Sequence, residues 1–398
     1  MKIAYVLQMF PKLSESFVLN EIVELLKRGH DVHIFSISRS CEMITHKEIE
    51  EYNLLEQAHY FAPKLVFTNN PFRFSMYFAK ALIWSLSTGN ISKNELKADV
   101  KLAYFATIMK EKDVELIHAH FANVGSVARR LGKMLGLSYT LTVHAFDIYM
   151  DQDTDELRKV MNDAESVVTI SEYNKNYLTG EIGVNNKIEL IRCGIDLDKF
   201  KSQKKLRADD KIRMLTVARL VEKKGIAYLI KAIPMVIKEM PKCKFTIIGS
   251  GPLYDHLQQL VRDLDIERYV QFRGDVSDSE LMQYYDDADM FILPCIITEN
   301  GDRDGIPVST MEAMAMELPV ISTTVSGLPE LVEDGASGIL VTPKDEKAIA
   351  DAIITLCKDS ELRINMGEKG REIIEKKFNI VSEAEKLMGV FETIVKHG

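Results

Sequence analysis

Short apolar runs alternate with amphipathic stretches along most of this chain. Residues 2–7 and 32–36 are apolar runs of strand length, and residues 17–28 between them carry apolar side chains at helical spacing. Because a parallel strand is buried on both faces, its sequence is typically a continuous apolar run. The opening therefore predicts strand, loop, helix and strand, as in a Rossmann-like βαβ unit. It lacks the G-x-G-x-x-G fingerprint of dinucleotide-binding proteins.

The same alternation continues and then restarts. Further apolar runs predict strands that end near residues 120, 143, 170 and 191. A polar, charged run at 198–211 has the composition of a linker. Strands are predicted again from 212, with helices at 346–357, 361–377 and 381–396. The pattern predicts an α/β protein with two Rossmann-like domains, residues 1–199 and 200–377, followed by a final helical segment at 378–398.

The region from 290 to 340 is the most informative part of the second half. A predicted strand at 290–294 leads into a polar loop, then into Gly305, Ile306 and Pro307, and then into a helix at 308–316. Ligands of open α/β sheets bind beyond the carboxyl ends of the strands. The unpaired amides at a helix start suit a phosphate, and here they begin at Val308 and Ser309 because proline has no N–H.

Two carboxylates bracket this helix start. Asp304 precedes the helix and Glu312 lies on its second turn. A carboxylate beside phosphate-binding amides repels phosphate, so hydroxyl groups of a sugar or a ribose are its expected partners. The alternative is a surface loop in which Asp304 caps the helix and Glu312 is solvated.

Other strand ends carry polar groups that suit a nucleotide or a sugar. Arg219 and Lys224 follow the strand at 212–218, where two fixed cations can hold a diphosphate; a solvated basic turn is the alternative. Turns at the next strand ends contain Gly249, Gly251, Arg273 and Gly274.

Three histidines lie at strand ends of the first half. His118 and His120 suggest a metal, but no third ligand follows at a usual spacing. They and His144 are predicted to be structural or to contact a sugar.

Two segments leave alternatives open. The loop after the first strand contains Ser14, Glu15 and Ser16; the helix dipole alone explains an acid there, and a role toward acceptor or donor is the other interpretation. Residues 64–86 are aromatic and basic. They are expected to lie on a membrane surface or to form a helix pair packed into the core.

Composition narrows the class of protein. The chain has 398 residues, a formal net charge of −9 and five widely spaced cysteines. This charge opposes nucleic-acid binding, and the cysteine pattern indicates neither a zinc site nor a disulfide framework. Without a signal peptide or a membrane-spanning apolar run, the sequence predicts a cytoplasmic protein, with peripheral contact at the inner face of the membrane left open.

The motifs together resemble the retaining GT-B glycosyltransferases (glycosyltransferase family 4, "glycosyl transferases group 1"). Residues 304–315, DGIPVSTMEAMA, match the family's acidic-x7-Glu signature in register, and RLVEKKG at 219–225 matches its Arg-Leu…Lys-Gly motif. The loop FPKLSESF at 10–17 is similar to a branch associated with exopolysaccharide and lipopolysaccharide assembly. The chain departs from the family at Asp304, where Glu is usual, and at Glu317, where Gly is usual.

The resemblance implies two parallel sheets facing a central cleft, with the last helix crossing back to the first domain. It implies transfer of a sugar from a UDP- or GDP-sugar to an acceptor hydroxyl of a glycan or lipid-linked saccharide, with retained configuration and without a metal or other cofactor. Asp304, His144 and Glu312 would serve the sugar and ribose, and Arg219 and Lys224 the diphosphate. Further donor contacts are implied at Gly305, Ile306, Val308, Ser309, Gly249, Gly251, Arg273 and Gly274. Ser14, Glu15, Ser16 and His120 would face acceptor or donor.

Three alternatives remain at this point. A nucleotide-sugar 2-epimerase shares the architecture and would change the sugar without an acceptor. A nicotinamide oxidoreductase would need the missing glycine fingerprint. A non-catalytic protein that binds nucleotide-sugars would not hydrolyse a donor.

Overall fold

The computed structural model describes residues 1–42, 44–62, 70–87, 89, 92–150, 153–203 and 210–397. Its contacts divide the chain into two compact units. The first unit contains Met1–Thr169, Asn176–Ile191 and Ala384–Gly398, and the second contains Ile170–Lys175 and Arg192–Glu383. These limits differ by a few residues from the limits set at 199 and 377 by sequence.

The first unit is built on a parallel sheet. Among the described residues, seven strands lie in the order β3-β2-β1-β4-β5-β6-β7. They are β1 (Lys2–Phe10), β2 (Asp31–Arg39), β3 (Ala58–Tyr60), β4 (Leu116–His120), β5 (Tyr139–Val143), β6 (Ser166–Thr169) and β7 (Ile188–Leu190). β1 and β2 run three residues beyond the predicted ends at 7 and 36.

Helices cover both faces of this sheet, as parallel strands require. In chain order they are α1 (Ser16–Lys27), α2 (Glu48–Glu51), α3 (Pro71–Ser87), α4 (Lys93–Glu111), α5 (Ala122–Leu135), α6 (Phe146–Tyr149) and α7 (Thr154–Asn162), with a π-helical turn at Leu178–Ile182. The next helix, α8 (Glu172–Tyr177), belongs to the second unit as far as Lys175. The last part of the chain also belongs here, since Leu387 and Phe391 pack among core residues of β1 and α1 such as Ile3 and Ile22.

The second unit repeats the plan. Six strands of the described chain form a parallel sheet in the order β10-β9-β8-β11-β12-β13. They are β8 (Ile212–Val217), β9 (Cys243–Ile248), β10 (Val270–Phe272), β11 (Met290–Ile292), β12 (Val320–Thr323) and β13 (Gly338–Val341). The helices are α9 (Ile226–Glu239), α10 (Tyr254–Asp263), α11 (Asp278–Asp287), α12 (Val308–Ala315), α13 (Leu328–Leu331), α14 (Glu346–Lys358) and α15 (Ser360–Lys377). The last helix, α16 (Ile380–His397), begins in this unit and belongs to the first unit from Ala384 on. The two α/β halves predicted from sequence are confirmed.

Two predicted segments differ in detail. The start of the predicted linker packs into the second unit, because Phe200 is buried and Lys199 pairs with Asp278 at 2.9 Å. Residues 204–209 lie outside the described chain, as do residues 64–69 of the aromatic segment. Residues 71–86 of that segment belong to α3, which is packed on one side through Tyr77 and Ala81.

The unusual Glu317 is accommodated by its backbone. Its φ is +57°, the left-handed conformation that glycine adopts without cost. A side chain there costs about 1–2 kcal/mol, so the turn after α12 keeps its shape at a small energetic penalty. Gly367 packs so closely that an added Cβ would lie 2.2 Å from the Glu317 carbonyl oxygen.

Candidate active site

The strand order reverses once in each sheet, beside the first strand of that sheet. In the second unit this switch point lies between β8 and β11, where the two chain connections leave in opposite directions. The loop after β8 contains Arg219 and Lys224, and the loop after β11 leads to Asp304. Switch points of this kind are where open α/β sheets bind ligands. The residues selected by sequence in this half therefore share one end of one sheet.

The two loops are held together through their backbones. The N–H of Ile296 donates to the carbonyl of Lys223 at 2.8 Å. Gly225 has a φ of +68°, and a Cβ added to it would lie 1.9 Å from the Pro294 carbonyl oxygen. A larger residue at 225 would push the loops apart. The glycine that ends the basic loop thus fixes the lysines beside the acidic loop.

A compact charged cluster results. Lys224 Nζ lies 2.8 Å from Asp304 Oδ2, and Lys223 Nζ lies 2.9 Å from Asp302 Oδ1 and 3.8 Å from Asp304 Oδ1. Burial alone would raise the pKa of Asp304, but the charges of Lys224 and Lys223 outweigh it and lower that pKa. Burial alone would lower the pKa of Lys224, but the charge of Asp304 outweighs burial and raises that pKa. Both groups are therefore ionised at neutral pH.

A buried thiol adjoins this pair. Cys295 Sγ lies 3.5 Å from Asp304 Oδ2. Burial and the neighbouring carboxylate raise the pKa of Cys295 well above that of a free thiol. Cys295 is thus a neutral, inert donor to Asp304 and not a nucleophile.

The start of α12 presents unpaired amides beside this cluster. Pro307 precedes the helix and accepts hydrogen bonds from the N–H groups of Thr310 and Met311. Gly305 and Ile306 are buried, and Val308 and Ser309 are partly exposed. The arrangement retains the features expected of a phosphate site at a helix start.

Glu312 is more buried than a solvated acid, with 9% of its surface exposed. The Tyr285 hydroxyl donates to Glu312 Oε2 at 2.9 Å. Burial and the adjacent carboxylate raise the pKa of Tyr285. The interpretation of Glu312 as a freely solvated residue is therefore wrong, and a buried tyrosine fixes its carboxylate.

The two glycine turns pack against the basic loop. Gly249 has a φ of +124°, its N–H donates to the Gly274 carbonyl at 2.8 Å, and an added Cβ would lie 2.0 Å from the Ala218 carbonyl oxygen. A Cβ added to Gly251 would lie 2.6 Å from the Leu220 carbonyl oxygen. Arg219 is exposed. Arg273 lies over the Tyr284 ring at 5.7 Å.

The switch point of the first unit lies between β1 and β4 and carries histidines. His120 Nε2 lies 3.0 Å from Glu21 Oε1, and His120 Nδ1 lies 3.2 Å from His144 Nε2. The Tyr5 hydroxyl donates to the same Glu21 oxygen at 2.6 Å. Tyr5 and His120 are almost completely buried, and His144 is 6% exposed. The result is one continuous hydrogen-bonded chain, Tyr5–Glu21–His120–His144.

His118 lies beside this chain. Its Nδ1 is 2.7 Å from the Thr140 hydroxyl and its Nε2 is 3.1 Å from the Thr142 hydroxyl. Burial, with a smaller contribution from His120, lowers the pKa of His118 to about 3. Burial also lowers the pKa of His144 far below its usual value. Both rings are neutral at physiological pH.

Glu21, which is distant in sequence, lies close enough to His118 and His120 to act as a third metal ligand. Ligand atoms of Glu21, His118 and His120 all lie within 4.8 Å of one another. A zinc ion would use such a set of ligands. The contact of Glu21 with His120 already has the length of an N–H···O hydrogen bond. The absence of a metal therefore stays a prediction.

The loop after β1 gives Glu15 a specific partner. Lys12 Nζ lies 2.6 Å from Glu15 Oε1. Ser14 and Glu15 form a 3₁₀ turn, and Ser16 begins α1. Lys12 and Glu15 also line a shallow hollow whose other walls are mainly apolar. Glu15 is thus held by an ion pair and not by the helix dipole alone.

Several residues of these sites escaped the sequence analysis. Tyr285 and Lys223 gave no signal of their own. Glu21 gave one, because it shares the apolar face of α1 with Phe17, Val18 and Leu25 at helical spacing. A carboxylate on a buried helix face needs a partner inside the protein. Glu299, another carboxylate on the acidic loop, five residues before Asp304, is exposed.

Comparison with known proteins adds independent findings. The family described as "Glycosyltransferase Family 4" matches residues 14–199, and the family described as "Glycosyl transferases group 1" matches residues 198–373. The amylovoran biosynthesis glycosyltransferase AmsK of Erwinia amylovora is 30% identical over 95% of this chain and 96% of its own length. The GDP-mannose-dependent alpha-(1-6)-phosphatidylinositol monomannoside mannosyltransferase of Mycolicibacterium smegmatis is 29% identical over 66% of this chain and 72% of its own.

A solved structure shares the fold. The Anabaena HepE complex with UDP-glucose superposes with a TM-score of 0.73 at 18% identity, covering 99% of this chain and 100% of that one. The two doubly wound parallel sheets, the matches over both halves and the full-length relative agree on one assignment. This chain belongs to the GT-B glycosyltransferases of the glycosyltransferase family 4 and glycosyl transferases group 1 type.

Proposed function

We propose that the protein transfers a sugar from a UDP- or GDP-sugar to a hydroxyl of a glycan or lipid-linked saccharide in polysaccharide synthesis, with retained anomeric configuration. The names of the relatives support this assignment, since one makes amylovoran and another uses GDP-mannose. HepE, which shares the fold, is a complex with UDP-glucose.

One observation carries the proposal: the basic loop and the start of α12 meet at the switch point of the second sheet. Arg219 and Lys224 would hold the diphosphate, together with the amides of Val308 and Ser309. Lys224 already pairs with Asp304, so a diphosphate would share this lysine with the carboxylate. When the nucleotide leaves, the Asp304 carboxylate still balances the positive charge of Lys224.

The two carboxylates would divide the remaining recognition. Asp304 would accept hydrogen bonds from hydroxyls of the donor sugar, where its negative charge favours the positive character that develops on the ring. Glu312 would accept from the ribose, oriented by Tyr285. His144 would contact the donor sugar. Gly249, Gly251, Arg273 and Gly274 would contact the nucleotide.

The bond changes are simple to balance. The bond from the anomeric carbon to the diphosphate oxygen breaks, and the bond from that carbon to the acceptor oxygen forms on the same face. The departing diphosphate takes the acceptor proton. Lys224, Arg219 and the helix amides supply the positive potential for this departure, so no metal is required.

A peripheral membrane contact is also part of the proposal. α3 exposes Phe72, Met76, Ile83 and Leu86, with 81% of Phe72 and 64% of Ile83 accessible. These positions fall on one face of the helix, opposite Tyr77 and Ala81. No helix in the described part of the chain has the length and apolar character to cross a bilayer. An apolar helix face of this kind would rest on the inner face of the cytoplasmic membrane.

Vesicle sedimentation tests this contact. The protein should pellet with anionic vesicles at low salt, and a Phe72→Ser, Ile83→Ser variant should remain in solution. Ile364→Ser is the matched control, because Ile364 is 60% exposed on α15. Equal binding of the three proteins would contradict a contact through α3.

A donor panel tests the function itself. Thermal unfolding with UDP-glucose, GDP-mannose, UDP, GDP and NAD⁺ should show stabilisation by one sugar-nucleotide, by about 2.7 kcal/mol at 100 times its dissociation constant. Analysis of the sugar product then separates the alternatives. A free epimerised sugar would indicate a 2-epimerase, and binding without turnover would indicate a non-catalytic protein.

A further inference from the structure

Asp147 is a completely buried carboxylate that joins two loops of the first unit. Asp147 Oδ2 accepts a hydrogen bond from the backbone N–H of Ala122 at 2.7 Å, and Oδ1 accepts one from the backbone N–H of His144 at 2.9 Å. Ala122 begins α5 shortly after the end of β4, and His144 directly follows β5. These two strands are neighbours in the sheet. One side chain therefore fixes the backbone at the ends of two adjacent strands.

Helix capping explains only one of these two hydrogen bonds. Phe121, the residue before α5, makes no side-chain hydrogen bond to the helix start, and Asp147 serves that end from 25 positions further along the chain. A helix start needs one acceptor oxygen for this purpose. The second oxygen of Asp147 is engaged by His144, whose backbone lies outside the helix. The side chain is thus directed at His144 as well as at α5.

The backbone beside these contacts is strained. Phe121 has a φ of +72°, a conformation that favours glycine. An aromatic residue keeps such a conformation only where the surrounding structure enforces it. Here the N–H of Phe121 donates to the Thr142 carbonyl at 2.8 Å, and the next residue, Ala122, is held by Asp147. The strained turn places the Phe121 ring against the His144 ring, with centroids 4.6 Å apart.

The charge of Asp147 matters for both hydrogen bonds. Burial raises the pKa of this carboxyl, backbone N–H groups that include those of Ala122 and His144 lower it, and the outcome is a pKa of about 6. The carboxylate form therefore predominates at neutral pH, and both of its oxygens are acceptors. An asparagine in its place would offer one oxygen and one NH₂ group, and the NH₂ group cannot accept from a backbone N–H.

We propose that Asp147 is a positioning residue for sugar transfer: its carboxylate fixes the backbone of His144 and the Phe121 ring beside it, and so sets where His144 meets the donor sugar. This inference rests on the proposed role of His144 toward the sugar. Asp147 acts through His144 and not on the substrate, because it is completely buried and both of its oxygens are engaged. Displacement of His144 would slow the chemical step more than it would weaken donor binding.

Release of UDP from UDP-glucose, or of GDP from GDP-mannose, tests the effect on the reaction without an acceptor. Asp147→Asn should lower kcat by about 10- to 100-fold, with KM for the donor and affinity for the bare nucleoside diphosphate nearly unchanged. The nucleotide contacts remain because Arg219 and Lys224 are not altered. Should Asp147→Asn fail to fold, Asp147→Ser is measured in the same way, since serine is smaller and its hydroxyl oxygen accepts from one N–H.

Asp99→Asn is the matched control, because it changes another buried carboxylate of the same unit. Asp99 is 1% exposed, accepts from the Ser85 hydroxyl at 3.0 Å and pairs with Arg130. Asp99→Asn should lower the free energy of unfolding and leave kcat unchanged. An equal fall of kcat in Asp99→Asn and Asp147→Asn would mean that both act through stability alone, and would overturn the inference.

Hydrogen–deuterium exchange, recorded without donor, tests the link between the two loops. In Asp147→Asn, peptides that contain Ala122 and His144 should exchange faster, by about tenfold or more at the amide that loses its charged acceptor. Peptides of α14 in the second unit should exchange as in the wild type. Unchanged exchange at both amides would overturn the inference.

The two measurements separate this inference from the proposed function. Faster exchange with a normal kcat would overturn the role of Asp147 in transfer. A wild-type protein that releases no nucleotide from any sugar-nucleotide would contradict the proposed function instead, and the exchange rates would still decide whether Asp147 joins the two loops.

Discussion

The two sheets use the same strand order around their first strand, yet their switch points carry opposite chemistry. The first unit holds a buried hydrogen-bonded chain of Tyr5, Glu21, His120 and His144, with one carboxylate. The second holds ion pairs between lysines and aspartates and the amides of α12. The topology of a sheet thus decides where a ligand binds. The polar residues of the loops at that place decide which part of the ligand is bound there. A diphosphate needs the charged set, and a neutral sugar is better served by oriented acceptors.

The largest expected effect comes from removing a lysine of the charged set. Lys224→Ala should lower affinity for UDP or GDP by about 10- to 100-fold, since a hydrogen bond to a charged group contributes about 1.5–3 kcal/mol. It should also destabilise the second unit, because Asp304 is left without its closest cation. Calorimetry measures the affinity and denaturant unfolding measures the stability.

A second substitution separates these two consequences. Adding Asp304→Asn to Lys224→Ala should restore stability without restoring nucleotide affinity. Arg219→Ala should weaken binding without the loss of stability, because Arg219 is exposed. Normal nucleotide affinity in both single variants would remove the diphosphate from this loop.

Asp304→Asn alone should affect turnover more than binding. We expect kcat to fall by about 10²–10³-fold, the range for loss of one electrostatic contact to a transition state. Affinity for the bare nucleoside diphosphate should hold or rise, because Lys224 loses its competing partner. Asp302→Asn, which breaks the pair with Lys223, is the control. Near-normal kcat in Asp304→Asn would reduce Asp304 to a structural ion pair and direct attention to Glu299.

Glu312→Gln should have the complementary and smaller effect. Ribose is remote from the bond that breaks, so nucleotide affinity should fall by about 5- to 10-fold, the equivalent of roughly 1 kcal/mol, with kcat little changed. Tyr285→Phe keeps the carboxylate and removes its donor, and should produce a weaker form of the same change. A loss confined to kcat would reverse the roles of the two acids.

Acid should destabilise the first unit through its buried His118. His118 is neutral in the fold, with its pKa lowered to about 3, and takes up a proton once unfolded near pH 6.5. The unfolded state therefore binds more protons below pH 6.5, and stability falls as pH falls, by up to about 1.4 kcal/mol per pH unit. His118→Gln should flatten this slope between pH 6 and pH 4. An unchanged slope would mean that His118 does not control acid unfolding.

Chelation should have the smallest effect. Incubation with EDTA is expected to leave transfer unchanged, because lysine, arginine and helix amides take the place of a metal. Loss of activity that Mn²⁺ or Mg²⁺ restores would contradict this, and loss restored only by Zn²⁺ would indicate occupation of Glu21, His118 and His120.

Local patterns predicted most of the fold because they are properties of neighbouring residues. The apolar runs, the helix from Val308 and the basic loop ending at Gly225 all lie where their sequence indicates. The partners of the site residues could not be predicted from local patterns, because Glu21 and His120 are separated by 99 positions and only the folded sheet brings them together. Tyr285 and Glu312 are likewise paired across two helices. Sequence identified candidate groups, and tertiary packing determined their hydrogen bonds.

The last helix has a consequence for synthesis on the ribosome. The core of the first unit includes Leu387 and Phe391, which follow every residue of the second unit. Domains usually fold in the order in which they emerge. Here the second unit is complete by Glu383, while the first still lacks part of its interior. The half that is made first must therefore wait, partly formed, until residues 384–397 leave the exit tunnel.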